Sequence, residues 1–379
     1  SSVASMGADM TASVSMLDKK DDSSDDIFVA SGNVDDGSRL QDTRLLTASN
    51  GTGAVSSVMS WATDGDLKGV SAASCVVPTM KQEFLLSGTK TGLTQQLVVA
   101  NPSAKDTSVT IRIWGSDKSG ALALSTGSTL TVASGQETVL NLSAAASGQD
   151  ALYATVTGTD TPVAAIVRTV SMDGLTPRGS DYALPNNAFA KSLALYGLNG
   201  GDHATLYLYT SRKTDVTVSW IDSKGAQQTN QQELKANRAS AIDLGDVPKS
   251  ATGIAIAASE PVSATAKISD DGPDGQSDFA LVNASAPAKI SAIAVPDQST
   301  ATVGFVNTAD EDRTAIMTAY DTDGKQVDRR EIAIRPSASR SVRSADINDG
   351  DVAAIRLKDP AQAVVWKLRV GQKDVSGAK

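Results

Sequence analysis

The chain has 379 residues, a mass of 38.9 kDa and a net charge of −9, with 40% hydrophobic but only 4% aromatic residues. At about 150 residues per domain, this length predicts two or three domains. The acidic balance argues against a nucleic-acid module, which needs a basic footprint. No apolar run approaches the roughly 18 residues that a bilayer requires. A single Cys75 and a single His203 exclude a Cys/His zinc centre, an internal disulfide framework and a cluster held by several cysteines.

The chain starts at Ser1, which reads as a processed protein or a fragment and leaves room for an upstream signal peptide or anchor, neither of which is visible in it. Residues 1–40 hold eight Asp against three Lys or Arg. The cluster Asp18, Lys19, Lys20, Asp21, Asp22, Asp25 and Asp26 has no periodic apolar face, so residues 1–27 read as a flexible acidic spacer. Residues 27–94 contain strand-like runs (IFVAS, SRLQDTRLLTAS, AVSSVMSWAT). They are too few to close a separate core and are expected to complete the first domain. Cys75 reads as a buried, unpaired thiol.

From residue 95 one pattern recurs three times. Residues 95–118, 204–224 and 301–325 each read as strand, polar loop, strand and polar turn. The turns share Asp at the first position and Gly at the fourth: Asp117 and Gly120, Asp222 and Gly225, Asp321 and Gly324. This is the chemistry of a type I turn. The glycines are 105 and 99 residues apart, so the unit is about 100 residues long. Val216, Val218 and Trp220 share one strand face, and Ile316, Thr318 and Tyr320 are expected to match them in the third copy. In the first copy Val109, Ile111 and Ile113 alternate while Trp114 falls one place out of phase, which predicts a bulge near Gly115.

A second theme follows each copy: residues 128–142, 231–244 and 330–344, then two further strands. Pro162 and Pro261 are expected to open the last strand, where a missing N–H is tolerated. Six or seven strands per unit, with no amphipathic helix between them, predict all-β architecture: tandem immunoglobulin-like β-sandwich domains in an elongated arrangement. The expected divisions are the spacer 1–27, a first sandwich with an N-terminal extension over 28–185, a second over 186–288 and a third over 289–372. The links are expected near 176–192 and 270–290, where Gly, Pro, Asn and Asp accumulate.

Little reactive chemistry is visible. His203 precedes a strand, and no G-x-S-x-G elbow accompanies it. Lys90-Thr91-Gly92 matches one element of serine β-lactam-interacting enzymes, but Ser87 lies too close to it for that organisation. Phosphate-loop and dinucleotide fingerprints are missing. Asp270, Asp271, Asp274 and Asp278 crowd one short loop and form a candidate calcium site, since hard cations take several oxygen ligands. The plainer reading is a solvated linker, and no other cofactor is expected. Trp114, Trp220 and Trp366 are expected as core anchors. Trp61, beside a turn, is the candidate exposed ring for a sugar face.

Cys75-Val76-Val77-Pro78, Phe84-Leu85, Leu97-Val98-Val99-Ala100-Asn101-Pro102, Gly135, Pro162-Val163-Ala164-Ala165 and the echo Pro261-Val262-Ser263-Ala264 carry a resemblance. Over roughly 60–285 the chain resembles an uncharacterised family of large secreted or membrane-anchored actinobacterial proteins with tandem β-sandwich-like repeats. The resemblance implies an exported, cell-surface location and brings no catalytic residues. The expectation is therefore a non-enzymatic cell-envelope structural or protein-interaction module. Its partner would be an envelope protein or a glycan, with no nucleic acid and no transmembrane segment in this stretch. The alternatives are a module binding glycan or wall polymer and, behind it, a hydrolase using a metal or carboxylates that converge in a pocket.

Overall fold

The computed structural model describes residues 55–62, 69–271 and 277–372, with the isolated positions 2–3, 29 and 40–41. The expected acidic spacer, apart from the short strand β1 (Ser2–Val3) that pairs with β2 (Leu40–Gln41), lies outside the described residues. A hairpin follows, made of β3 (Ser57–Ala62) and β4 (Gly69–Ser74).

Alternating apolar residues then build three β-sandwiches, each burying one face of two sheets. The first contains β5 (Lys81–Ser87), β6 (Leu93–Ala100), β7 (Thr107–Trp114), β8 (Thr129–Val132), β9 (Glu137–Asn141), β10 (Ala151–Gly158), β11 (Ala164–Asp173) and β12 (Thr176–Ala183). Its front sheet runs β5-β10-β7-β8 and its back sheet β12-β11-β6-β9, all antiparallel. A single helical turn, α1 (Leu142–Ala145), follows β9 and is capped by the Asn141 side chain.

The second sandwich contains β13 (Ala190–Tyr196), β14 (His203–Thr210), β15 (Thr214–Ile221), β16 (Ala226–Leu234), β17 (Arg238–Asp246), β18 (Gly253–Asp271) and β19 (Ser277–Asn283). Strand β18 serves both sheets. Its first leg pairs with β13 and β15 in the front sheet, and its second leg with β14 and β19 in the back sheet. Pro261 therefore does not open a strand. It sits where β18 changes sheets, between the ladder residues Ala258 and Val262, so its missing N–H breaks no pairing.

The third sandwich contains β20 (Ile290–Ala294), β21 (Thr300–Asn307), β22 (Arg313–Tyr320), β23 (Gln326–Ile334), β24 (Ser339–Arg343), β25 (Ala354–Lys358) and β26 (Val364–Gly371). Its sheets run β20-β25-β22-β23 and β24-β21-β26. The strand order of each front and back sheet is the same three times. The back sheets of the first two sandwiches carry one further edge strand, β12 and β19. Both lie in segments expected to be links: Pro177, Gly179, Asp181 and Asp278 give them loop-like composition, which an edge strand tolerates.

The turn from the second to the third strand is held in each sandwich by one side chain. Asn101 donates through Nδ2 to the carbonyls of Lys105 and Val132. Asn307 donates to those of Glu311, Ile334 and Arg335. Thr210 replaces them in the second sandwich, donating to Arg212 O and Pro261 O. The Asp/Gly turns are less uniform. Gly324 N donates to Asp321 O, closing the expected turn, whereas Asp222 closes its turn by accepting Lys224 N and Gly225 N at Oδ1. In the first copy Gly120 N instead reaches Asn237 O of the second sandwich.

Two register expectations are corrected. In β22 the core-facing residues are Ala315, Met317 and Ala319, so Ile316, Thr318 and Tyr320 face outward. A one-residue slip exchanges the two faces of a strand, and counting back from Asp321 makes Ala319 the partner of Trp220. In β7 the ladder against β10 runs unbroken through Tyr153↔Trp114, with no bulge near Gly115. Trp114 is out of phase because it points outward.

The hairpin also departs from expectation. Met59 of β3 and Ala72 of β4 pack against the third core, while Ser71 Oγ donates to Ser180 O of β12 and Val70 N to Asp278 Oδ2 of β19. It touches all three sandwiches and does not complete the first.

Candidate functional site

The densest concentration of large side chains outside the three cores lies between the first and second sandwiches. Strands β5 and β10 bury Phe84, Leu86, Leu152 and Ala154 inward, so alternation turns Leu85, Ala151 and Tyr153 outward. In β14, Leu206 and Leu208 face the second core, and Tyr207 and Tyr209 face out. These outward sets close on one another with Ala239, Trp114 and Phe189. Tyr153 and Tyr209 stack with centroids 3.7 Å apart and planes 7° apart. Phe189 meets both edge-on at 6.0 and 6.2 Å, and Trp114 lies 5.4 Å from Tyr153. Arg112 sits over the Trp114 ring at 5.4 Å.

Polar groups seal the rim of this joint. Ala239 N donates to Gly115 O at 3.0 Å, and Arg238 Nε donates to Ser116 O. Glu83, almost fully buried, lies beside Tyr153 and pairs with Lys81. Burial first, and then the Glu83 charge, push the Tyr153 hydroxyl far above its ordinary pKa and that of Tyr209 up to about 12. The tyrosines therefore stay neutral donors.

The second joint follows the same plan. Outward residues of the second front sheet, Ala194, Tyr196, Ala255 and Ile221, meet Val306 and Val365 of the third back sheet. The Tyr196 ring lies on Gly304, where a Cβ would collide with it. Arg369 Nη1 donates to Gly197 O at 2.7 Å and stands 3.6 Å from the buried Asp202 carboxylate. Lys367 is half-buried as a residue, but its ammonium is enclosed and donates to Ser285 Oγ at 2.6 Å. Burial holds its pKa down to about 8.

The residues singled out from sequence are scattered. Trp61 lies on β3, opposite Val70, and is 39% exposed, in keeping with the expected exposed ring. Trp220 anchors the second core as expected. Trp114 belongs to the first joint, not to a core, and Trp366 is a half-buried ring at the edge of the third core, its Nε1 donating to Ser291 Oγ. Asp270 and Asp278 face each other across β18 and β19, but Asp278 already accepts Val70 N and Phe279 N. Asp274 and the Asp271 side chain lie outside the described residues. Among the described residues no group of three or more His, Cys, Asp or Glu is arranged to hold a metal ion.

His203 is half-exposed between Asp243, at 2.9 Å, and Asp246, at 3.4 Å. Cys75 is half-buried, its thiol pushed up to about 11 by burial, and it is free. Ser87 is buried and accepts a hydrogen bond from Gln95, whereas Lys90 pairs with Asp150 on the surface. A shallow pocket of about 230 Å³ lies beside Trp220, Asp222, Lys224 and Pro248, where the Lys224 backbone N–H holds the Asp222 carboxyl below its usual range. No helix among the described residues is long and apolar enough to cross a membrane.

Fold and site define an all-β protein of several sandwich-like layers whose most elaborate surfaces are turned on one another. The chain belongs to a family of unknown function, DUF5719, which matches residues 29–345. No curated protein matches it.

Proposed function

We propose that the chain is a non-catalytic structural or protein-interaction module of the cell envelope, built from tandem copies of one immunoglobulin-like sandwich. On this reading it is exported from an actinobacterium, stands at the cell surface and is held there by an anchor. One observation carries the reading: the largest aromatic cluster is spent on joining sandwich to sandwich, at Tyr153, Tyr209, Trp114 and Phe189. A chain that invests its rings in internal joints gains fixed geometry between domains, which suits a spacer or scaffold. Biotinylation of intact source cells with a membrane-impermeant reagent tests it. Labelling of the chain before lysis, and cross-links to an envelope protein, are expected. Labelling only after lysis would overturn it.

A second reading, binding of a glycan or wall polymer, is favoured by the exposure of Trp61. Sugars cover ring faces, so a Trp61→Ala variant would lose retention on purified cell wall while keeping the wild-type fold.

A further inference from the structure

Each front sheet ends in a matching edge strand: β8 in the first sandwich, β16 in the second and β23 in the third. An edge strand leaves one row of N–H and C=O groups without a ladder partner, and proteins blunt such rows by shortness or by charge. Strand β8 is four residues long. Strand β23 carries Asp328, Arg329, Arg330 and Glu331 along its middle. Strand β16 has neither protection. It runs for nine residues, pairs only with β15 among the described residues, and holds no charge from Ala226 to Gln232. Gln227, Gln228, Thr229 and Gln231 are exposed. The third sandwich covers Ile221 of the neighbouring β15 but stops short of Gln228, Gln231 and Glu233, which stay exposed.

The strand is also symmetric. Gln227-Gln228-Thr229-Asn230-Gln231-Gln232 reads almost the same in both directions about a point between Thr229 and Asn230. In a plain strand, residues three apart face opposite sides. Here the ladder against β15 skips Thr229, a bulge, so that Gln228 stands opposite Ser219 and Gln231 opposite Thr217. Ser219 and Thr217 are two apart, which places both glutamines on one face, and their side chains meet at 3.4 Å. Gln227 and Gln232, opposite Trp220 and Val216, share the other face. Laid antiparallel on itself about that point, β16 sets Gln228 against Gln231 and Gln227 against Gln232, each residue meeting one of its own face and its own kind. Past the centre, Glu233 of one copy stands diagonal to Lys224 of the other, which offsets the like charge of Lys235 opposite it.

We propose that two copies of the chain join edge to edge through β16, antiparallel, about a two-fold axis between Thr229 and Asn230. The pairing completes the open ladder of each strand and merges the two front sheets into one. It uses the same surface on both copies, so it closes at two. It is independent of where the chain stands, and its failure would leave the surface-labelling result untouched.

Sedimentation velocity of the full chain over a concentration series, up to about 1 mM, tests the pairing. The weight-average mass is expected to rise from one chain to a plateau at two. Hydrogen exchange of the β16 amides should slow as the plateau is reached. Gln228→Lys with Gln231→Lys in one chain sets lysine against lysine twice across the axis, and should raise the concentration of half-association by roughly tenfold or more. Gln228→Glu with Gln231→Lys sets opposite charges at the same two places, and should keep that concentration at or below the wild-type value. Both positions are exposed, and circular dichroism checks that the variants fold. A mass of one chain throughout would overturn the proposal and leave the edge to a strand of another protein. So would a dimer indifferent to the lysine pair, equal weakening by both double variants, or growth past two copies.

Discussion

The ring of Tyr153 lies flat on the ring of Tyr209, 3.7 Å between centroids, although the two residues belong to different sandwiches. Each is turned out of its own core by strand alternation and buried by the other's domain. Truncating one leaves a ring-sized void between two sheets. Tyr153→Ala is expected to cost about 3 kcal/mol of stability and to make the segment joining the first two sandwiches, residues 184–189, sensitive to protease. In a double-mutant cycle with Tyr209→Ala, the pair should show a coupling of about 1 kcal/mol. Additive losses would mean that the stack contributes nothing beyond burial.

At the second joint the tight point is Gly304. Its Cα lies against the ring of Tyr196, and any Cβ would occupy the space of that ring. Gly304→Ala should destabilise the joint by about 2 kcal/mol, and Tyr196→Ala in the same chain should relieve much of it. Equilibrium unfolding of both single variants and the pair checks this.

Much of the fold is legible in the sequence. The alternation of Val109, Ile111 and Ile113 and of Val216, Val218 and Trp220 marks core strands, and the Asp/Gly pairs mark the hairpin turns at Asp222 and Asp321. The joints were not legible, because an outward-facing residue that meets another domain carries the same local signal as one that meets water. One sign was there: Trp114, a large ring in the wrong phase. Reading it as a bulge assumes that rings belong inside their own domain. Edge strands β12 and β19 were hidden for a different reason. With one neighbour in the sheet, they tolerate the Pro, Gly and Asp that usually announce loops. The third copy misled by one residue, since Ala319 is a weak core signal beside the outward Tyr320.

Lys367 predicts a pH dependence. Its pKa is about 8 in the fold, below that of an ordinary lysine, because burial disfavours the ammonium. Below pH 8 the folded and unfolded chains both carry the proton, and the full cost of the buried charge is present. Above it the folded chain sheds a proton that the unfolded chain keeps, so stability rises with pH until the unfolded lysine also titrates. Between about pH 8 and about pH 9.5 the gain should reach at most about 2 kcal/mol, and Lys367→Met should remove it. Urea unfolding at a series of pH values, read below the range where tyrosines ionise, measures the slope. An identical slope in the variant would assign it to another group.

Leu281 couples two sandwiches in a less obvious way. It sits on β19 of the second sandwich, yet its side chain packs against the core of the first, and its N–H donates to Asp181 Oδ2 of β12 at 2.8 Å. The first core is thus partly closed by a residue about 100 positions beyond its own last strand. Leu281→Ala should cost about 2 kcal/mol, and hydrogen exchange should show the loss in β5 and β12 as well as in β19. A fragment ending near residue 185 lacks this contact. It should unfold at lower denaturant than the same sandwich in the full chain, because its core opens to water along the edge that Leu281 covers. Equal midpoints for fragment and full chain would show that the first sandwich closes its core without its neighbour.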